Sequence, residues 1–263
     1  MNKTLRYKIA GAGITITGVS GNKITGKLVI PDKINGKSVL AIGSGAFEEC
    51  SGLTSVIIPS SVTIIANGAF YSCTGLKSVT IPSSVRSIGN YAFSDCFELA
   101  SVTIPNSVTE MGDWAFSKCT SLTSVTLPSS ITSIGGWVFY GCTKLTSVTI
   151  PSSVHSIGEG AFESCSHLTI VNIGKSVTSI GDSAFSECTA LKSLIIPNSV
   201  TIIANGAFHS CTGLKSVTIP SSVRSIGNYA FEKCTSLTSV TIPLKLKKIS
   251  PNAFPATTEI IRK

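Results

Sequence analysis

Leu76-Lys77-Ser78-Val79-Thr80-Ile81-Pro82-Ser83-Ser84-Val85-Arg86-Ser87-Ile88-Gly89-Asn90-Tyr91-Ala92-Phe93-Ser94-Asp95-Cys96 carries two hydrophobic periods in succession, and the pattern begins again 23 residues after its start. Val79 and Ile81 flank Thr80, the alternation of a half-buried strand. Their β-branched side chains suit a strand, and Pro82 ends it by removing a ladder donor. Ile88, Ala92, Phe93 and Cys96 then follow at i, i+4, i+5 and i+8, which predicts a short helix of about two turns with one apolar face. Gly89 precedes that segment. Ala66, Ala204 and Ser250 take its place in other units, so small size rather than a positive φ is the expected requirement.

The period runs through almost the whole chain. Phe recurs from Phe47 and Phe70 to Phe254, and Cys from Cys50 and Cys73 to Cys234, always 23 residues apart. A period of this length lies in the leucine-rich-repeat range. One unit cannot bury its Leu, Val, Ile and Phe alone, whereas stacked units bury them continuously. The predicted fold is α/β: a right-handed solenoid of about ten coils, one parallel strand and one short helix per coil, with strands about 4.8 Å apart. Nine cysteines in one register, with no CxxC pair, do not fit zinc spacing. They read as reduced thiols packed beside the Phe spine.

Residues 1–40 lack the full unit but hold strand-like stretches at Tyr7–Ile9, Ile14–Val19 and Leu28–Ile30. They are expected to form an N-terminal β cap, with 41–243 as the repeats. Residues 244–263 are expected to form a C-terminal cap with a last strand at 259–263. An open stack needs polar ends. The chain carries a net charge of +8. The excess lies in the two caps, while residues 41–243 hold nine bases and eleven acids. Nucleic-acid binding would want a basic stripe along the repeats, so none is expected. No apolar run reaches the roughly 18–20 residues of a membrane span, and no membrane insertion is expected.

Catalytic chemistry has little to stand on. The stretch Gly21-Asn22-Lys23-Ile24-Thr25-Gly26-Lys27 resembles a phosphate-binding loop, but Leu28 stands where Mg²⁺ needs Ser or Thr and a strand follows. A hairpin turn is the better reading. His155, His167 and His209 occupy different positions in different units and make no triad or metal cluster. No enzyme activity, metal or cofactor is expected.

Two surfaces remain. Ser78, Ser101, Ser124 and Ser147, with Thr80, Thr103, Thr126 and Thr149, line the outer strand face, which admits an ice-binding alternative. Ile57, Ile170, Asn172 and Ile195 interrupt that array. The second surface is aromatic. The position two residues before Phe is usually Gly, Ser or Asn, but it is Tyr91, Trp114 and Trp137 in three consecutive units and Tyr229 in a fourth. Tyr140 follows Trp137 by three residues. Tyr91, Trp114, Trp137 and Tyr140 are the candidate partner-binding residues. Ile57–Phe93 and Ile195–Phe231 differ only at Ser60/Asn198 and Tyr71/His209, a block duplication that leaves most of the surface generic.

The unit A-F-S-K-C-T-S-L-T-S-V-T-L-P-S-S-I-T-S-I-G (115–135) and its neighbours, over about residues 28–257, resemble BspA-type leucine-rich repeats, the treponemal-type class. Ile34-Asn35-Gly36-Lys37-Ser38-Val39 resembles that family's longer first repeat. The resemblance implies a leucine-rich-repeat solenoid that binds proteins without catalysis, an adhesion or host-interaction role, and an extracellular or cell-surface location. Met1–Ser20 has no apolar core of a signal peptide, so a cytoplasmic interaction scaffold is the alternative. The expected state is a monomer with a protein partner.

Overall fold

Every second backbone N–H around Phe47, Phe70, Phe93 and Phe139 to Phe208 leaves its own coil, and this arrangement replaces the expected helix. The structure is a computed structural model that describes residues 5–20 and 24–263. Met1–Thr4 and Gly21–Lys23, the latter being the first three residues of the loop read as a hairpin turn, lie outside the described residues. Among the described residues there is no helix. In the Phe93 coil, the N–H groups of Tyr91, Phe93 and Asp95 donate to the carbonyls of Asp113, Ala115 and Ser117 in the next coil. Those of Ala92, Ser94 and Cys96 donate three residues back, to Gly89, Tyr91 and Phe93. An α-helix would send each donor four residues back. Left-handed backbone at Tyr91 (φ 57°) and Asp95 (φ 58°) forbids that path. The apolar positions at i, i+4, i+5 and i+8 therefore belong to consecutive β-turns that face inward.

The chain divides into two compact units, 1–131 and 132–263. In the first, Leu5–Ala10 pairs antiparallel with Gly13–Val19, which pairs parallel with Lys37–Ile42. The parallel ladder continues through Ile64–Ile65, Ser87–Ile88 and Glu110–Met111. Asn35 and Gly36 (φ 49° and 77°) make a tight hairpin between Lys33–Ile34 and Lys37–Ile42. A second ladder joins Gly26–Val29, Leu53–Ile57, Ser78–Thr80, Ser101–Thr103 and Ser124–Thr126. This is the strand expected from the Val-x-Ile alternation, with Val79 and Val102 buried and the flanking Ser and Thr exposed.

In the second unit the two-residue strands run from Ser133–Ile134 through Ser156–Ile157, Ser179–Ile180, Ile202–Ile203 and Ser225–Ile226 to Lys248–Ile249. On the other side Ser147–Thr149 pairs with Ile170–Asn172. A separate sheet joins Ser193–Ile195, Ser216–Thr218, Ser239–Ile242 and Glu259–Arg262. The Ser-Ile strand of each coil was not read from the sequence, because Ile88 was assigned to the helical face. Gly89 has no positive φ, and a Cβ there would lie 2.5 Å from the Asn67 nitrogen of the preceding coil. Close approach between coils therefore keeps this position small.

The core is a ladder of rings. Phe47, Phe70, Phe93 and Phe116 stack at 5.1–5.2 Å between centroids in the first unit. Phe139 to Phe254 stack at 5.0–5.5 Å in the second. Each pair adds about 0.5–1.5 kcal/mol beyond its burial. The Phe N–H donates at 2.7–2.9 Å to the Ala carbonyl of the next coil. The Phe carbonyl accepts the Cys N–H of its own coil and the Cys thiol of the next one. Cys73 and Cys96 donate in this way at 3.0 and 3.3 Å, and Cys165 to Cys234 do so at 3.1–3.3 Å. Cys therefore serves as a small apolar filler with a weak donor. All nine are free and buried.

Two outcomes follow. Phe162 sits mid-ladder in the second unit, fully buried. Phe162→Ala should lower stability by about 3–5 kcal/mol in denaturant titration, and a loss under about 1 kcal/mol would deny the ring ladder its role. Burial, and then the neighbouring Cys50, push the Cys73 thiol from 9.0 up to about 12. Burial likewise raises Cys96 and Cys165. Unfolded thiols therefore lose protons before folded ones as pH rises, so this contribution to stability is complete below pH 9 and falls above it. The melting temperature should drop above pH 9, and a Cys73→Ala, Cys96→Ala variant should show a shallower drop. An equally steep drop would assign the alkaline loss to other groups.

Candidate partner-binding site

The aromatic column stands on left-handed backbone. Tyr91, Trp114, Trp137 and Tyr229 have φ of 57°, 60°, 51° and 60°, where Gly45, Gly68, Gly160 and Gly206 have 55–60° in other coils. Left-handed backbone costs an L-residue roughly 1–2 kcal/mol, and glycine avoids most of this. The aromatic residues thus occupy the position at which the repeat tolerates them least.

A second column accompanies the first. The residue after Phe lies three positions beyond the left-handed residue, across a β-turn, and the two side chains share one space. Where the left-handed residue is Gly, a large neighbour covers it. The Glu48 Oε2 lies 2.9 Å from a Cβ built on Gly45, the Tyr71 Cβ 3.6 Å from one on Gly68, and the Glu163 Oε2 3.0 Å from one on Gly160. Where the left-handed residue is Tyr91 or Trp114, the partner is Ser94 or Ser117, each buried. Trp137 with Tyr140 and Tyr229 with Glu232 pair two large residues, so the exchange of sizes holds at Gly45, Gly68, Gly160, Tyr91 and Trp114, and there it was present in the sequence. It becomes visible only when residues three apart are compared within each unit rather than down one column.

In the first unit Tyr91 and Trp114 stack at 5.9 Å and 12°, with Tyr91 44% exposed and Trp114 half-buried. Tyr91 also borders a groove of about 580 Å³ over Gly45 and Gly68, lined further by Ser44, Glu48, Asn67 and Tyr71. The N–H groups of Asn90 and Asp113 donate to the Oδ1 atoms of Asn67 and Asn90, which pins this edge from coil to coil.

In the second unit Trp137 and Tyr140 are both half-buried. The Trp137 ring lies over Gly160, where a Cβ would fall 2.3 Å from the indole, and its N–H bonds the Glu163 carboxylate. Burial first, then the Glu187 charge, raises the Glu163 carboxyl above its ordinary value of 4.5. Trp137 thus roofs the following coil, and the Tyr140 N–H closes a turn on the Trp137 carbonyl. Tyr229 borders a smaller groove of about 390 Å³ with Glu159, Asp182, Ser183, Asn205, Gly206, His209 and Glu232. Of the histidines, His155 and His167 are exposed, and His209 lies 3.5 Å from Glu232.

The sheet face of this unit carries a feature that the sequence reading treated only as an interruption. Between Ile170–Asn172 and Ser193–Ile195 the hydrogen-bonded ladder stops. A cavity of about 570 Å³ opens there, lined by Ile170, Ile195, Pro197 and Lys175 among others. Ile195 is 83% exposed. Gly174 stands at the place of the usual Pro in this coil.

Comparison with known proteins points one way. The model of the BspA type leucine rich repeat region matches residues 40–169 and 133–261, with six copies. The leucine-rich repeat protein of T. pallidum is 34% identical, with a TM-score of 0.66, covering 71% of this chain and 87% of that one. A leucine-rich repeat protein from Eubacterium ventriosum is 21% identical, with a TM-score of 0.59, covering 94% of this chain and 90% of that one, and supports the fold alone. No curated protein matches.

The left-handed column has a direct check. A Cβ on Gly68 would meet nothing closer than 3.6 Å, so Gly68→Ala tests backbone conformation alone and should lower stability by about 1 kcal/mol. Ser183 (φ 52°) is the converse case, and Ser183→Gly should raise stability by up to about 1 kcal/mol. Thermal unfolding reads both, and no change in either would deny the left-handed turn.

Proposed function

The chain belongs to the BspA-type leucine-rich repeat family, and we propose that it is a non-enzymatic protein-binding module with an adhesion or host-interaction role at the cell surface. The observation that carries this reading is the Tyr91–Trp114 stack, set on left-handed backbone beside an open groove. Large aromatics at strained positions gain little for the fold that Gly or Ser would not supply. Aromatic side chains supply rigid contact area with a polar edge, which is what interface anchors use. The Ser and Thr of the strand face already bond water, so they add little affinity on their own. The surface location rests on the family, whose members are typically exported.

The test is a binding panel of purified extracellular-matrix and plasma proteins against the wild-type chain and a Tyr91→Gly, Trp114→Ala variant. At least one protein should bind, and the variant should bind it at least about thirtyfold more weakly. Binding unchanged in the variant would reject the aromatic stack as the site and turn attention to Ile170 and Ile195. No binding across the panel would count against the adhesion role.

A further inference from the structure

We propose that the groove over Gly45 and Gly68 is a slot for an arginine side chain of the partner protein. This inference rests on the binding reading above and names the chemistry that the site recognises. Tyr91 has Trp114 against one face and lines the groove. At the far end the Glu48 carboxylate lies over Gly45. Arg6 shares a neighbouring pocket with Glu48 but makes no ion pair with it. Gly68 leaves the space between these ends open, with Tyr71 at its side.

The spacing suits one cation. Gly45 and Tyr91 are two coils apart, and successive Phe rings here are separated by 5.1–5.2 Å. Two coils therefore span about 10 Å. A cation within about 6 Å of a ring centroid and about 2.8 Å from a carboxylate oxygen spans about 9 Å. A guanidinium fits better than an ammonium, because it is weakly hydrated, packs well against an aromatic ring and offers five donors of which one or two can reach the carboxylate.

The second unit repeats the design with other parts. Tyr229 borders a groove over Gly206, and the acids are Glu159, Asp182 and Glu232, the last beside His209. Tyr229 and Gly206 come from the duplicated block that also contains Tyr91 and Gly68. The acids do not, since Glu48, Glu159, Asp182 and Glu232 all lie outside it, and Ser186 stands where Glu48 would recur. The second groove keeps the tyrosine but has Asn252 in the place of Trp114, and the acids beside both tyrosines lie outside the duplication.

The test is a ¹H–¹⁵N NMR titration of the full chain with N-acetyl-arginine methylamide, and with the citrulline analogue as a neutral isostere. Saturable shifts should centre on Gly68 and Tyr91, with a second set at Gly206 and Tyr229. Affinity should fall about tenfold or more for citrulline, and for arginine at the first slot in Glu48→Gln and in Tyr91→Gly. Glycine is native at the Tyr91 position in other coils, so the latter variant keeps the fold. Equal binding of citrulline, shifts centred outside both grooves, or unchanged affinity in both variants would overturn the proposal. Partner capture that depends on Tyr91 and Trp114 but not on Glu48 would overturn the arginine slot and leave the binding reading standing. Arginine binding at Gly68 without partner capture would support the slot and count against the binding reading.

Discussion

The structure depends on one constraint: the backbone around each Phe divides its donors between two coils. Phe93 donates to Ala115 of the next coil, while its neighbours Ala92 and Ser94 close turns within their own. A helix would satisfy itself and leave its neighbours free to slide. This pattern instead ties each coil to the next at every second residue, so the Phe rings are held one above another. Alternate donors can diverge in this way only if the chain turns left-handed before Ala and again before Cys. The thiol of the next coil then completes the Phe carbonyl, and the ring ladder, the left-handed column and the cysteine column follow from the same geometry.

That geometry explains where variation is tolerated. Inward positions are repeated almost without change because they touch the equivalent residues of both neighbouring coils. The left-handed position and the one after Phe vary in size from coil to coil, and trade volume in the Gly45, Gly68, Tyr91 and Trp114 coils. Ser94 is buried in the Tyr91 coil, and Glu48 folds over Gly45. Duplication copied Tyr91 as Tyr229 but not Trp114, whose place is taken by Asn252, and the coils flanking the two copies differ. The chemical distinction between the two grooves therefore resides in residues such as Glu48, Asp182 and His209 rather than in the repeat motif.

Much of this was legible in the sequence. The Val-x-Ile strand with its terminating Pro, the inward Phe and Cys columns, the strand near 259–263 and the smallness of Gly89 follow from spacing and side-chain type. The helix did not follow, because Ile88, Ala92, Phe93 and Cys96 fit a helical face and a run of β-turns equally well. The signal that separates them is glycine two residues before Phe at Gly45, Gly68, Gly160 and Gly206. A segment this short also lacks the length that sustains a helix. Tyr91 and Trp114 were found as an aromatic pair, but the grooves beside them were not. A groove is made by what Gly68 omits and by what Glu48 and Tyr71 place around it, and these relations cross coils. Trp137 shares the column, yet Gly160 and Glu163 draw it down as a roof on the next coil.

The division of donors can be observed directly as scalar coupling across hydrogen bonds in a deuterated, ¹⁵N,¹³C-labelled sample. The account predicts a coupling from the Phe93 nitrogen to the Ala115 carbonyl carbon, and from Phe185 to Ala207, with Ala92 coupled to Gly89. Coupling of the Phe93 nitrogen to the carbonyl of Gly89, four residues back, would show a helix in each coil and contradict the account.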